Sequence, residues 1–167
     1  MAAPLPEAEA LIASLAQALR GTVTSETGLV GIYSGGVWVA QRLHQALGLT
    51  LPVGQLAITL HRDDFDRIGL HREQRRSHLP FPVEGRDILL VDDVLHTGRT
   101  IRAALNELWD FGRPKSVRLV ALVDRGGREL PIAADFTGAQ VEVRRGESLV
   151  LSEENGRLRL AAVKGSA

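Results

Sequence analysis

The sequence predicts an α/β fold: a mostly parallel central sheet flanked by helices, followed by a small β-rich segment. Three observations carry this expectation. Short apolar runs alternate with segments of helical spacing over residues 29–123. The run Ile88, Leu89, Leu90, Val91 is uninterrupted, as in a strand buried on both faces. Beyond Gly126 the helical spacing stops and only short β-like pieces follow.

Each element has its own signal. "PEAEALIASLAQALR" opens on Pro6, carries acids in its first turn and stops before Gly21, which is the punctuation of a helix. "LVGIY" then reads as a strand, "SGG" as a turn, "VWVAQRLHQALG" as a helix ended by Gly48, and "VGQLAITL" as the next strand. Residues 61–85 form a polar stretch longer than ordinary connections, expected to be a flexible functional loop. A strand over 86–92 follows. In the helix over 99–111, Ile101, Ala104, Leu105 and Leu108 recur at helical spacing before Gly112. The last parallel strand is expected over 116–123. "VEV", "LVL" and "RLRLAAV" read as hairpin pieces over the ligand end of the sheet. The chain is expected to be one domain, 1–167, with a core over about 20–124, the loop over about 61–85 and the hood over about 125–163.

Composition excludes several classes. Hydrophobic residues make up 44% of the 167, and 20 Lys+Arg balance 20 Asp+Glu, so no strong global field marks a dedicated nucleic-acid binder. The absence of cysteine excludes disulfides, thiolate metal sites and a cysteine nucleophile. No apolar run approaches the roughly 18 residues of a membrane span, and Glu7 and Glu9 stand where a signal peptide would be basic. A cytoplasmic protein without a membrane partner is expected.

The chemistry concentrates in "ILLVDDVLHTGRTIRAAL", residues 88–105. Asp92 and Asp93 end the apolar run, and a helix then begins near Gly98 to Thr100. In open α/β sheets ligands collect outside the carboxyl ends of strands, where such a helix start aims unpaired N–H groups at an anion. Two carboxylates beside an anion site repel the same ligand unless they face its hydroxyls or a cation. A phosphorylated sugar with vicinal hydroxyls, together with Mg²⁺, meets both demands. The plain alternative is a solvated acid pair that caps a loop. The coincidence of the acids, the T-G-x-T turn and both flanking elements favours the ligand site.

Residues 88–100 resemble the phosphoribosyl-pyrophosphate (PRPP) motif of type I phosphoribosyltransferases. With "GIYSGGVWVAQRL", "LAITLHRDD" and "GRPKSVRLVALVDRGGRELPIAADFTG", the chain resembles the family of pyrimidine-operon regulators with uracil phosphoribosyltransferase activity, PyrR, over roughly residues 5–151. The resemblance implies the type I phosphoribosyltransferase fold and specific roles. Asp92 and Asp93 would engage the ribose hydroxyls or Mg²⁺, directly or through water. Thr97, Gly98, Arg99 and Thr100 would wrap the 5′-phosphate, mainly through backbone N–H groups. Ser34, Gly35 and Gly36 would hold pyrophosphate in a loop that in the superfamily contains a non-proline cis peptide; the basic residue usual there is missing. Arg62, at the base of the flexible loop, is the leading pyrophosphate ligand, ahead of Arg72, Arg75 and Arg76. The backbone at Val123, Asp124, Arg125 and Gly126 would read the uracil edge. For Arg125 and Arg128, a salt bridge to Glu129 or the sheet edge is the structural alternative.

His96 departs from the aromatic residue of uracil-specific members and the acidic one of purine-using relatives. It could accept the N1 proton of uracil, position the base, or do neither. The implied reaction is uracil plus PRPP giving UMP and pyrophosphate, with possible control of pyrimidine genes. Two other readings stay open: an RNA-binding attenuator with a nucleotide effector, and a purine or xanthine phosphoribosyltransferase. RNA is thus a candidate partner, although Gly127, Ala133, Gly138 and Ala139 thin out the expected basic face. A homo-oligomer, dimer or larger, is expected.

Overall fold

A computed structural model of the chain describes residues 3–58 and 76–165. In chain order the elements are α1 (Ala8–Leu19), β1 (Gly28–Ile32), α2 (Gly35–Leu47), β2 (Gly54–Leu56), β3 (Asp87–Leu95), α3 (Arg99–Trp109), β4 (Ser116–Asp124), β5 (Phe136–Gln140), β6 (Glu147–Glu154) and β7 (Arg157–Lys164). The first five strands form one sheet in the order β2-β1-β3-β4-β5, and every pairing in it is parallel. This is the predicted α/β architecture.

Side chains of a strand alternate between faces, so a doubly covered sheet builds two cores. On one face Leu29, Leu89, Val91, Val120 and Leu122 pack with Ile12, Leu15 and Leu19 of α1 and Val39 and Leu43 of α2. On the other, Val30, Ile32, Ile88, Leu90 and Leu119 pack with Ile101, Ala104 and Leu108 of α3. The apolar run of β3 feeds both layers, which is why it shows no alternation in sequence.

Three expectations about the elements change. β3 runs to Leu95, past both acids, instead of ending at residue 92. β4 is not the last parallel strand: β5 pairs beside it, while residues 141–143 ("VEV") are not strand. β5 escapes pattern reading because "FTGAQ" is a half-buried edge strand with a glycine, and Gly138 is needed there because a Cβ would meet the Leu122 carbonyl. Finally, the described part of the expected loop belongs to the fold. His78 and Gln55 exchange two backbone hydrogen bonds of 2.8 Å. The Ser77 hydroxyl accepts from the Ala57 N–H at 2.9 Å and donates to Glu107 at 2.8 Å. Phe81 and Val83 enter the α3-side core, and a Cβ on Gly28 would come within 2.7 Å of the Phe81 ring. Phe81→Ala is therefore expected to destabilise the protein by about 3–5 kcal/mol, the usual cost of emptying a core phenylalanine site. Urea unfolding measures this, and a cost under about 1 kcal/mol would place residues 76–85 outside the cooperative core.

β6 and β7 form a separate antiparallel hairpin. Its turn uses Asn155 and Gly156 at φ 51° and 76°, the two positive-φ positions that Asn-Gly hairpin turns favour. Leu151 and Leu158 join the α1-side core. The Leu158 N–H donates to Glu9 at 3.0 Å, and Arg42 donates to the Gly156 carbonyl at 2.8 Å. The hairpin is thus fastened against the first two helices. It reaches the carboxyl end of the sheet at Glu147, whose carbonyl accepts from Arg125 at 3.3 Å.

Candidate active site

The carboxyl ends of β1, β3 and β4 bring together the loops 33–36, 95–99 and 124–132. The acid pair lies at the centre, but its members differ. Consecutive strand residues point to opposite faces. Asp93 therefore shares the α2 side with Leu89 and Val91, and Asp92 the α3 side with Ile88 and Leu90. Asp92 is 3% exposed and accepts from the Asp93 N–H at 3.0 Å. Asp93 is half-buried and accepts from the Val94 N–H at 2.9 Å. The pleat distinguishes the two carboxylates: Asp93 is the more accessible, and Asp92 is largely enclosed.

The loop before α2 presses on this pair. Its Tyr33 to Ser34 peptide is cis, as the family resemblance implied. Ser34 is the N-cap position, and Gly35 and Gly36 open α2, so their N–H groups belong to the first turn, which has no intrahelical acceptors. A Cβ on Gly35 would overlap the Asp93 carboxylate, and one on Gly36 would lie 2.5 Å from the Val91 carbonyl oxygen. Tyr33 anchors the other side of the loop: its hydroxyl donates to Gln55, and its N–H to the Leu56 carbonyl at 3.0 Å.

The loop 95–99 is joined to residues 125–132 at nearly every position. The Arg125 N–H donates to the Leu95 carbonyl at 3.0 Å, and Glu129 and Leu130 donate to the Thr97 carbonyl at 3.0 and 3.2 Å. His96 Nδ1 lies 2.8 Å from the Gly126 carbonyl oxygen. Gly98 caps α3 at φ 95°, and a Cβ there would sit 3.3 Å from Ile132 and 3.4 Å from Leu130. Glycine is thus required at 98 by backbone conformation and packing, a reason separate from close approach to a phosphate. Thr97 Oγ1 accepts from the Arg99 N–H at 3.2 Å, and Thr100 stands half-buried in the first turn. The Arg99 side chain pairs with Glu129 at 2.5 Å instead of turning to the anion site. This also takes Glu129, the partner that the structural alternative offered to Arg125 or Arg128.

On the third loop, Val123 is fully buried and paired with both β3 and β5, so its side chain is closed to a ligand. Asp124 accepts from the Gly126 N–H at 2.9 Å, closing a tight turn. Arg125 turns its guanidinium to the hairpin, and its Nε is buried without a hydrogen-bond partner. Beside the turn lies a concavity of about 750 Å³ lined by residues 124–128 and 140–142. Arg62, Arg72 and Arg75 lie outside the described residues; Arg76 is exposed. Sequence reasoning missed Gly127, Leu130 and Ile132, although the double glycine at 126–127 was a visible signal.

Among the described residues no group of three or more His, Cys, Asp or Glu side chains is arranged to hold a metal ion by itself. Asp93 with Asp92 supplies hard carboxylate oxygens instead. That donor set fits Mg²⁺, which keeps waters and is completed by substrate oxygens. Among the same residues, no helix is long and apolar enough to cross a membrane.

An acid pair at a strand end, flanked by two helix N-termini, has the chemistry that suits a phosphorylated, polyhydroxylated ligand. Residues 3–147 match the phosphoribosyl transferase domain family. The bifunctional protein PyrR of Ralstonia nicotianae is 53% identical over 152 residues, covering 89% of this chain and 87% of its own length. That of Pseudomonas fluorescens is 49% identical over 152 residues, covering 89% and 90%. The chain belongs to the phosphoribosyl transferase domain family and, within it, to the PyrR proteins. Its fold is also that of a hypoxanthine-guanine-xanthine phosphoribosyltransferase (TM-score 0.60, 23% identity, 81% and 74% of the two chains covered). A hypoxanthine-guanine phosphoribosyltransferase from Bacillus anthracis gives a TM-score of 0.64 at 15% identity, with 84% and 85% covered.

Proposed function

We propose that this phosphoribosyltransferase joins uracil to PRPP, giving UMP and pyrophosphate. The observation that carries the reading is the convergence of the half-buried Asp93, the glycine start of α2 and the α3 N-terminus on one strand end. Family likeness supports the base: the segment "LVDRGGRELPI" that carried the pyrimidine resemblance forms the loop beside the site.

Uracil N1 attacks C1 of PRPP as the C1–O bond to pyrophosphate breaks, through a transition state with positive charge spread over C1 and the ring oxygen, and the N1 proton passes to the departing pyrophosphate or to solvent. Asp93 would hold the ribose hydroxyls and offset that charge, with Asp92 bracing the Asp93 backbone from below. The N–H groups of residues 97–100 would fix the 5′-phosphate, and those of Ser34, Gly35 and Gly36 the pyrophosphate. Arg62 would add positive charge to the leaving group. The turn that follows β4 would present its uncommitted backbone groups, the Gly127 N–H among them, to the uracil edge. When bound with PRPP, Mg²⁺ held at the Asp92 and Asp93 carboxylates or their waters supplies charge neutralisation of the pyrophosphate.

Incubation with PRPP, Mg²⁺ and, in turn, uracil, hypoxanthine, guanine, xanthine and orotate tests this reading. UMP should form from uracil at a kcat/KM at least about 10²-fold above any other base, since a site built on specific hydrogen bonds rejects mismatched partners strongly. Preference for a purine would overturn it. A homo-oligomeric assembly belongs to the same proposal, and an RNA-binding regulator of pyrimidine genes is the alternative reading. The face around 127–139 has few cations, and Arg99 is already paired with Glu129. Binding to the chain's own pyrimidine-operon leader is therefore expected to stay near the non-specific level, roughly 10⁻⁴–10⁻⁶ M at physiological salt. Tight, UMP-enhanced binding in a filter assay would assign the main role to regulation.

A further inference from the structure

We propose that His96 is a positioning residue: it sets the orientation of the peptide joining Gly126 to Gly127, and so decides which hydrogen-bonding group the base-side turn offers a nucleobase. Gly126 and Gly127 have φ of 73° and 79°. Two successive glycines have little intrinsic preference for one peptide orientation, so the turn needs an outside lock. The imidazole supplies it. His96 Nδ1 lies 2.8 Å from the Gly126 carbonyl oxygen, which can only accept, so Nδ1 carries the proton. In a trans peptide the carbonyl and the following N–H point in opposite directions. Holding the Gly126 carbonyl on the imidazole therefore directs the Gly127 N–H away from it. The fit is close on the other side as well: a Cβ on Gly127 would lie 2.6 Å from His96 Cε1 and 2.9 Å from Nδ1.

The lock is mounted on the phosphate side of the site. His96 lies between Leu95, whose carbonyl accepts from the Arg125 N–H, and Thr97, whose carbonyl accepts from Glu129 and Leu130. The base-side turn is thus referenced to the loop that opens α3. The Asp124 carboxylate holds the Gly126 N–H at 2.9 Å, so both polar groups of Gly126 are committed inside the protein. That leaves Gly127 as the adjustable donor. His96 thereby acts through backbone geometry, with no proton transfer to the base required.

The kinetic consequence rests on the uracil reading above. Histidine-to-phenylalanine and histidine-to-alanine variants, H96F and H96A, are expected to raise the KM for uracil by about ten-fold, with that for PRPP within about two-fold, the scale of one lost hydrogen bond. H96N should recover most of the loss, because Asn Nδ2 stands where His Nδ1 stands, one bond beyond Cγ. A equal rise in both KM values, or no rescue by Asn, would reduce His96 to a general structural role and overturn the proposal. A second arm needs no substrate. Nitrogen-15 NMR of the imidazole in the full-length protein should show Nδ1 protonated, and a bare Nδ1 would overturn the clamp outright. If the wild type makes no UMP, the substrate assignment fails, while the NMR arm and the same KM comparison on whichever base is used still decide the role of His96.

Discussion

Replacing Asp92 and Asp93 together by Asn is expected to lower phosphoribosyl transfer by about 10³-fold or more while the protein stays folded. Losing one preorganised electrostatic contact to a transition state typically costs 10²–10³ in rate, and this change removes the Asp93 charge at the strand end together with the enclosed Asp92 charge beside it. The fold should survive because Asn retains a carbonyl oxygen. At 92 it can still accept from the residue-93 N–H, and at 93 from the Val94 N–H. The single variants should not be equal. Asp93 is half-buried beside the start of α2, whereas Asp92 is 3% exposed. Asp93→Asn should therefore carry most of the kcat loss, and Asp92→Asn most of any stability loss. Steady-state kinetics with thermal unfolding on the three variants checks this. Transfer within ten-fold of wild type in a folded double variant would remove the acid pair from the mechanism.

The parts of the site that were readable in the sequence are local in the chain. The apolar run 88–91, the acids directly after it and the glycine at the following helix start lie within a dozen residues. Each follows from strand burial, helix capping and charge. Gly48, predicted to end α2, does so at φ 62° in the left-handed region that suits glycine. The assignment of the acids to opposite faces was also available from the pleat, but the pair read as one unit because its motif is written as one. What stayed hidden depends on residues far apart. His96 meets Gly126 across 30 positions, and Ser77 meets Glu107 across 30. No period or cap marks either contact. Phe81 and Val83 were hidden differently: with Leu79 they alternate with Pro80 and Pro82, which lack the N–H a sheet ladder needs, and the seat of Phe81 depends on the space left by Gly28.

Gly35→Ala and Gly36→Ala are expected to separate activity from stability at neighbouring positions. The N-terminus of α2 is pressed onto the sheet: a Cβ on Gly31 would come within 2.6 Å of the Val37 Cα, so β1 and α2 are already at backbone contact. At 35 the added methyl overlaps the Asp93 side chain, reaching within 2.6 Å of its Cγ. The carboxylate can rotate aside and the Asp93 Cβ, 2.9 Å away, needs only a small shift, so the fold should persist. The rotation would carry the Asp93 carboxylate off the strand end, and displacement of a positioned group by about 1 Å is enough to cost about 10² in kcat. At 36 the obstacle is backbone: the methyl would lie 2.5 Å from the Val91 carbonyl oxygen and 3.2 Å from the Asp92 Cα. Neither can rotate away without moving β3 or α2, and overpacking of that kind costs about 1–3 kcal/mol. Gly35→Ala should thus lose about 10²-fold in kcat with an unfolding midpoint close to wild type, and Gly36→Ala should lose stability in urea. If Gly35→Ala retains full kcat, Asp93 does not need its present orientation, and the site geometry assigned to it is wrong. If Gly36→Ala is as stable as wild type, the close seating of α2 on β3 is not what holds the loop over the acid pair.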